Sequence, residues 1–304
     1  MANTALDSNP PTGDRHITTH ASDWLWAVFA LMLLSMLISI FWTSSSIRRN
    51  RTFHQIPVIV LTVSTIAYFA MASDLGYTLI AAEFGSQPTR QIWYVRYIQW
   101  FINAPLLLLG LLLLTGLSAS DILTTMFFSW VLVVCGLVGA LTHSSYKWGF
   151  FAFGLFALFY IWYRLHGHSS RFPFRTGSGA RTGFRGGAGY LSFIWLLYPI
   201  CWGLSEGSNR ITPTSEMVFY GILDILSGPV FLAMFMSRVH KLDYTELGAV
   251  GLDATGRGVV GEKGTGAVQQ GTRGAAPGAG MAPGNAGGIN GAGVGANGAT
   301  DGRV

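Results

Sequence analysis

Lysine is nearly absent from this chain: Lys147, Lys241 and Lys263 are all it has, and none lies well inside an apolar run. Chemistry that needs an amine in a buried pocket therefore has almost nothing to work with. Cysteine is as scarce, with Cys135 and Cys201 both inside apolar runs, where packing residues are expected rather than a disulfide. No CxxC pair, phosphate-binding glycine loop, GxSxG elbow or metal-ligand spacing occurs, and His143, His166 and His168 are scattered where helices are expected to end. Those absences argue against an enzyme. Charge is also thin, at 11% of residues against 50% hydrophobic, which excludes an ordinary soluble domain for a chain of 304 residues. The net charge of +5 does not point to nucleic acid, because many of the arginines fall in short segments between apolar runs, where they orient a membrane protein.

What is present is a series of seven apolar runs. The first, Trp24 to Trp42, is long enough to cross roughly 30 Å of hydrocarbon at 1.5 Å per residue, with tryptophans at its ends. The others are expected at 55–80, 90–116, 121–141, 146–165, 189–204 and 214–238. Pro57 falls near the start of the second, where a helix tolerates it. This is an all-α membrane protein. Arg48, Arg49 and Arg51 follow the first span, Arg171, Arg175, Arg181 and Arg185 lie between the fifth and sixth, and Arg238 and Lys241 follow the seventh. That bias places the amino terminus outside and the Asn50-Arg51-Thr52 sequon on the cytoplasmic side, unglycosylated. Residues 1–21 lack an apolar core for a signal peptide and read as a short disordered extracellular head. Residues 22–246 form the membrane domain. From 247 to 304 glycine and alanine dominate, and a segment with so little apolar area to bury reads as a disordered cytoplasmic tail.

Polar residues inside these runs mark the places where chemistry is possible, because hydrocarbon cannot solvate them. Asp224 sits in the middle of the seventh span, and Gly228, followed by Pro229, lies one turn later on the same face. In the third span Arg96, Gln99, Trp100 and Asn103 share one stripe at i, i+3, i+4, i+7. Arg96 should lie about 9 Å and Asp224 about 15 Å from the same membrane face, so an ion pair, direct or through water, is within a guanidinium's reach. In the sixth span Trp195, Tyr198, Pro199 and Trp202 repeat the spacing, and Ser205-Glu206-Gly207 follows. Such an aromatic stripe is also what core packing produces. Gly136 and Gly139 in the fourth span permit close helix approach, a spacing common by chance.

Taken in order, these motifs resemble the microbial (type I) rhodopsins over roughly residues 23–245. The third-span run resembles the family's arginine, aromatic, counterion and tryptophan motif leading to a proline, here Pro105. The sixth resembles the aromatic wall of the retinal pocket, and the seventh resembles the aspartate followed four residues later by the Schiff-base lysine. The resemblance implies a seven-helix bundle, and it also shows what is missing. The lysine position is Gly228, the counterion position is Gln99, which takes no proton at physiological pH, and the proton-donor position is Gly110. Covalent retinal is therefore not expected, and the residual pocket would be Trp100, Trp195, Tyr198, Pro199 and Trp202. Glu206, Glu216 and Asp224 resemble the family's carboxylates near the extracellular side, and with Arg96 they are expected to form a hydrogen-bonded plug or, alternatively, a proton path.

Among rhodopsins the resemblance is to fungal opsin-related proteins that lack the lysine, a group that includes heat shock protein 30. That implies a non-photochemical plasma-membrane protein that moderates the proton ATPase or assists other membrane proteins under stress. Two other readings stay open. One is a sensor that binds retinal or another apolar ligand non-covalently, with Gly228 enlarging the cavity; the other is an ion or proton channel. A homo-oligomer is compatible with all three.

Overall fold

The computed structural model describes residues 3–45, 51–82, 89–169 and 177–240. The chain divides into two units, Met1–Val260 and Gly261–Val304. The second unit, and with it the expected tail at 247–304, lies outside the described residues, as do Asn50, Arg171 and Arg175.

Among the described residues, seven helices are long and apolar enough to cross a bilayer. They are α1 (Thr19–Ser44), α2 (Phe53–Ala72), α3 (Tyr94–Leu112), α4 (Ala119–Leu141), α5 (Lys147–Gly167), α6 (Gly179–Gly207) and α7 (Pro213–Val239). A membrane leaves no other choice for these runs, since a helix satisfies every backbone group within itself. Each helix packs on the next, and α7 returns to α1, closing the bundle. That closure is tight: Gly221 lies so near the Trp24 indole that no side-chain carbon would fit there. Two helix starts are capped by side chains, Ser118 accepting from the Asp121 amide and Thr212 from the Ser215 amide, with Pro213 at the first helical position of α7. An Arg164–Asp121 ion pair, 2.7 Å long, ties the end of α5 to the start of α4.

Wider π-helical turns occur at Tyr163–His168, Gly203–Gly207 and Leu226–Val230. The last holds Pro229, whose missing N–H interrupts the ladder of α7 next to Gly228.

The expected boundaries shift in one region. The second span ends at Ala72, and the third begins at Tyr94 rather than 90. Between them β1 (Thr78–Ala81) and β2 (Thr89–Ile92) pair antiparallel, with Thr78 opposite Ile92. Thr89 to Ile92 has β-branched ends and is buried on both faces from Arg90 to Ile92, and it continues an apolar run without sharing its helical period. Likewise α6 starts a good turn or more before 189, so Arg181 and Arg185 stand on that helix, exposed, rather than in a loop.

The head expected to be disordered is instead built into this end of the bundle from Asn3 onward. After a helical turn at Ala5–Ser8, Arg15 pairs with β2 as a short third strand, its amide donating to Thr89 O and its carbonyl accepting from Gln91 N, both at 3.0 Å. Ile17, fully buried, donates its amide to Gln91 Oε1 at 2.9 Å. The strand edge, Ile17, Leu6 packed on the core, and side-chain bonds from Asn3, Asn9 and Arg15 together order a segment that composition alone marks as polar.

Asp74, expected inside the second span, lies just after α2 with φ 55°, a conformation aspartate and asparagine tolerate. It is buried and accepts from Gln91 Nε2 at 3.0 and 3.3 Å. Burial raises its pKa above the ordinary carboxylate value, with Gln91 and then His16 opposing. A raised pKa means the fold prefers the protonated form. That contribution is whole below the ordinary carboxylate pKa and is lost as pH rises through the raised one. Asp74→Asn keeps an acceptor for Gln91 and carries no charge. Its thermal midpoint in detergent is expected to equal or exceed that of the wild type at neutral pH, with the difference vanishing in acid. A variant less stable at neutral pH would contradict this.

Candidate functional site

Asp224, 2% exposed on α7, is held by donors from three other helices. Oδ2 accepts from the Tyr68 hydroxyl of α2 at 2.6 Å, and from Gln99 Nε2 and Arg96 Nη1 of α3 at 3.4 and 3.5 Å. Oδ1 accepts from the Tyr198 hydroxyl of α6 at 2.6 Å and from Trp100 Nε1 at 3.1 Å. The expected Arg96–Asp224 pair is therefore direct, but it is the longest of the five contacts. Two short phenolic bonds do more to hold the anion than the arginine does.

Arg96 meets its own burial with soft partners. Its Nη2 approaches Met217 Sδ at 3.0 Å and Met71 Sδ at 3.6 Å, and its guanidinium carbon lies 4.1 Å from the centre of the Tyr220 ring. A cation over a ring face is attracted by the ring quadrupole. Beyond Gln99 the stripe continues to Asn103, whose Nδ2 donates to Ser64 Oγ of α2 at 2.9 Å. Gln99 Oε1 and Asn103 Oδ1 are buried without a hydrogen-bond partner.

The three carboxylates do not form one plug. Glu206 accepts from the hydroxyls of Tyr97 at 2.8 Å and Tyr220 at 3.1 Å. Glu216 pairs with Arg90 of β2, which also donates to Asn209 Oδ1 and to the Ile211 carbonyl. Arg96 contacts only Asp224 of the three among the ion pairs of the described residues. Arg90 escapes a helical reading of its surroundings, because as the first residue of a third span it would point to the interface. On β2, which is buried from Arg90 to Ile92, it lies inside, 2% exposed. Tyr68 had no signal in sequence beyond being a phenol in an apolar run.

Trp100, Trp195, Tyr198, Pro199 and Trp202, the pocket residues that the family resemblance implied, all line one cavity. Trp100 stands edge-on to Trp195 and Tyr198, with ring centres 6.2 and 5.0 Å apart, and Trp202 stacks on Phe151 at 5.2 Å. The opposite wall comes from α4 and α5 at Leu132, Gly136, Phe151 and Gly154. Here the two glycines of α4 find their use: Gly136 takes the edge of the Tyr97 ring and its carbonyl accepts from Trp202 Nε1 at 3.1 Å, while Gly139 lies under the Trp202 indole. Gly136 makes room for an aromatic ring, and Gly139 for a ring and for the Lys147 carbonyl of α5.

Gly228 does not enlarge this cavity. It is buried, it does not line the wall, and Met32 of α1 closes over it, with Cε 3.9 Å from where a β-carbon would stand. Position 228 bears no amine. Lys147, the first residue of α5, is buried to 2% exposure; its Nζ donates to the Glu206 carbonyl at 3.3 Å and it is not part of the cavity wall. Gly110 is packed against Phe235 and Ile56, with apolar carbon where a proton donor would need water.

Breaking the central cluster should cost far more at the anion than at any one donor. Asp224→Ala strands Arg96 in the interior and is expected to destabilise by about 3–5 kcal/mol. Tyr68→Phe removes one bond of five and should cost about 1–2 kcal/mol. Unfolding titrations in mixed micelles measure both, and equal losses would contradict the arrangement.

Comparison with known proteins agrees with this geometry. A family model described as bacteriorhodopsin-like protein matches residues 19–242. Protein FDD123 of Trametes versicolor is 55% identical over 82% of this chain and 88% of its own length. The 30 kDa heat shock protein of Saccharomyces cerevisiae is 37% identical over 79% of this chain and 80% of its own. Among solved structures, the light-driven proton pump rhodopsin of Coccomyxa subellipsoidea superimposes with a TM-score of 0.71 at 33% identity, covering 73% of this chain and 98% of the pump. With seven membrane-length helices, a buried arginine–aspartate centre and an aromatic-walled cavity between α3 and α6, the chain belongs to the bacteriorhodopsin-like family, on its fungal opsin-related side.

Proposed function

We propose that this protein is a light-independent member of its family, a stress-related or chaperone-like modulator of other plasma-membrane proteins, the proton ATPase among them. It sits in the plasma membrane with its amino terminus outside, binds no retinal covalently and catalyses no reaction. The observation that carries this reading is the state of Asp224. Both its oxygens are occupied by protein donors from α2, α3 and α6, and one turn further on there is Gly228. An anion neutralised within the protein needs no cationic chromophore beside it. Gln99 donates to that anion instead of taking its proton, and Gly110 is sealed by Phe235 and Ile56. The likeness to the 30 kDa heat shock protein supports the stress-related part of the proposal.

The cavity supports a second reading, in which an apolar ligand binds there without a covalent bond. Its wall is largely aromatic, with Arg96 at one edge.

Purified protein incubated with all-trans retinal is expected to give no borohydride-trappable adduct. Gly228→Lys, which places an amine beside Asp224 where Met32 leaves ordinary contact distance for the first side-chain carbon, should give one. An adduct on the wild-type chain, at Lys147 or elsewhere, would overturn the light-independent reading. For the partner, the ATPase is expected to co-purify with the full chain from stressed cells, in larger amount than from unstressed cells.

A further inference from the structure

A second cavity, of about 540 Å³, lies between α1, α2 and α7, on the far side of the bundle from the aromatic one. Two prolines create it. Pro57 of α2 and Pro229 of α7 both face it, and each lacks the N–H that would hold its helix straight and close-packed at that level. The wall includes Ile38 and Trp42 of α1, both about half exposed on the outer surface of the helix, so the cavity opens sideways into lipid.

Its chemistry is graded with depth. Trp42 and His54 stand within a turn of the ends of α1 and α2, about 3 Å or less from the ends at 1.5 Å per residue. Ser39 lies about 8 Å in, whereas Leu61 and Pro229 lie about 12 and 15 Å in, half the thickness of the hydrocarbon. An occupant has its polar end at the interface and an apolar body one leaflet deep. Among the described residues, lysine, arginine, aspartate and glutamate are missing from the wall, whose polar groups are serine hydroxyls, the Trp42 indole and the His54 ring.

The hydroxyls narrow the choice further. Ser39 Oγ donates its proton to the Ser35 carbonyl at 2.9 Å, and one turn deeper Ser35 Oγ donates to the Leu31 carbonyl at 2.8 Å. With their protons committed, both oxygens can still accept, and they call for a ligand that donates. Thr43 Oγ1, which bonds both the Ser39 and His54 carbonyls at 2.8 and 3.2 Å, holds this end of α1 to the start of α2. A flexible acyl chain would lose its conformational freedom in such a gap, whereas a rigid ring system has little to lose.

We infer that the α1–α2–α7 cavity binds a membrane sterol, with its hydroxyl donating to Ser39 near the interface and its rings lying between Pro57 and Pro229. The site is separate from the aromatic cavity and independent of whether that cavity takes a ligand.

The test uses the full chain in phosphatidylcholine vesicles with a photoreactive sterol bearing its diazirine on the ring system. Labelling is expected to saturate, to map to peptides of α1, α2 and α7, and to be competed by the unlabelled sterol. The corresponding 3-ketone, which cannot donate, should compete about three- to tenfold less well, the worth of one hydrogen bond. Ser39→Ala should erase that preference for alcohol over ketone, and Ala233→Trp, which fills the cavity, should abolish labelling there. Labelling spread evenly around the bundle, or equal competition by alcohol and ketone on the wild-type chain, would overturn the inference. The second comparison needs no variant, so it stands even if Ala233→Trp fails to fold.

Discussion

A carboxylate in the middle of a membrane helix must be surrounded or it will not stay there, and the bundle is arranged around meeting that demand at Asp224. Its five donors come from α2, α3 and α6, so the charge is held only when those helices stand at their native distances from α7. Helices in lipid gain little from burying apolar area against one another, because the lipid is as apolar as they are. A shared anion supplies what packing alone does not, a geometry that one arrangement satisfies and others leave unpaired.

The remaining polar residues follow the same principle at other depths. Glu206 rests on two phenols, Glu216 on an arginine from the β-hairpin, and Asp74 on a glutamine of the same hairpin. Each carboxylate has its own direct hydrogen-bond partners among the described residues. The amino-terminal segment seals the hairpin end of the bundle from above: Arg15 donates to the Asn209 carbonyl at 2.6 Å while pairing with β2. On one side of this polar column lies the aromatic cavity, and on the other the proline-bounded one. The two prolines of the second come from helices that the column does not cross at that level.

Much of this could be read from the chain before any coordinates. Apolar run lengths marked seven spans, and the helical stripe through Arg96, Gln99, Trp100 and Asn103 pointed one face of α3 inward. Counting depth along two helices suggested that Arg96 and Asp224 could meet, although the count began the third span at residue 90 and that helix begins at Tyr94. The aromatic stripe of α6 anticipated the cavity wall residue by residue. Other features had no such signal. Tyr68 is bonded to Asp224 from 156 residues away, and no periodicity distinguishes a phenol that reaches a carboxylate from one that lies in the core. The hairpin was hidden because Thr89 to Ile92 adjoins a membrane run and merges with it on a hydropathy scale. The head was misread because composition does not register a free strand edge waiting for it.

What the sequence determined by itself was the medium and the missing chemistry: seven runs that hydrocarbon forces into helices, and no amine at position 228. Both are local properties, settled by what a stretch of side chains can or cannot do without reference to the rest of the chain. The tertiary structure decided the pairing. It assigned Glu216 to Arg90 rather than Arg96, buried Lys147 against the Glu206 carbonyl, and let Met32 close over Gly228. Those choices depend on ångström-scale distances between helices that are far apart in sequence, and a hydrogen bond made or missed at that scale leaves no trace in composition or periodicity.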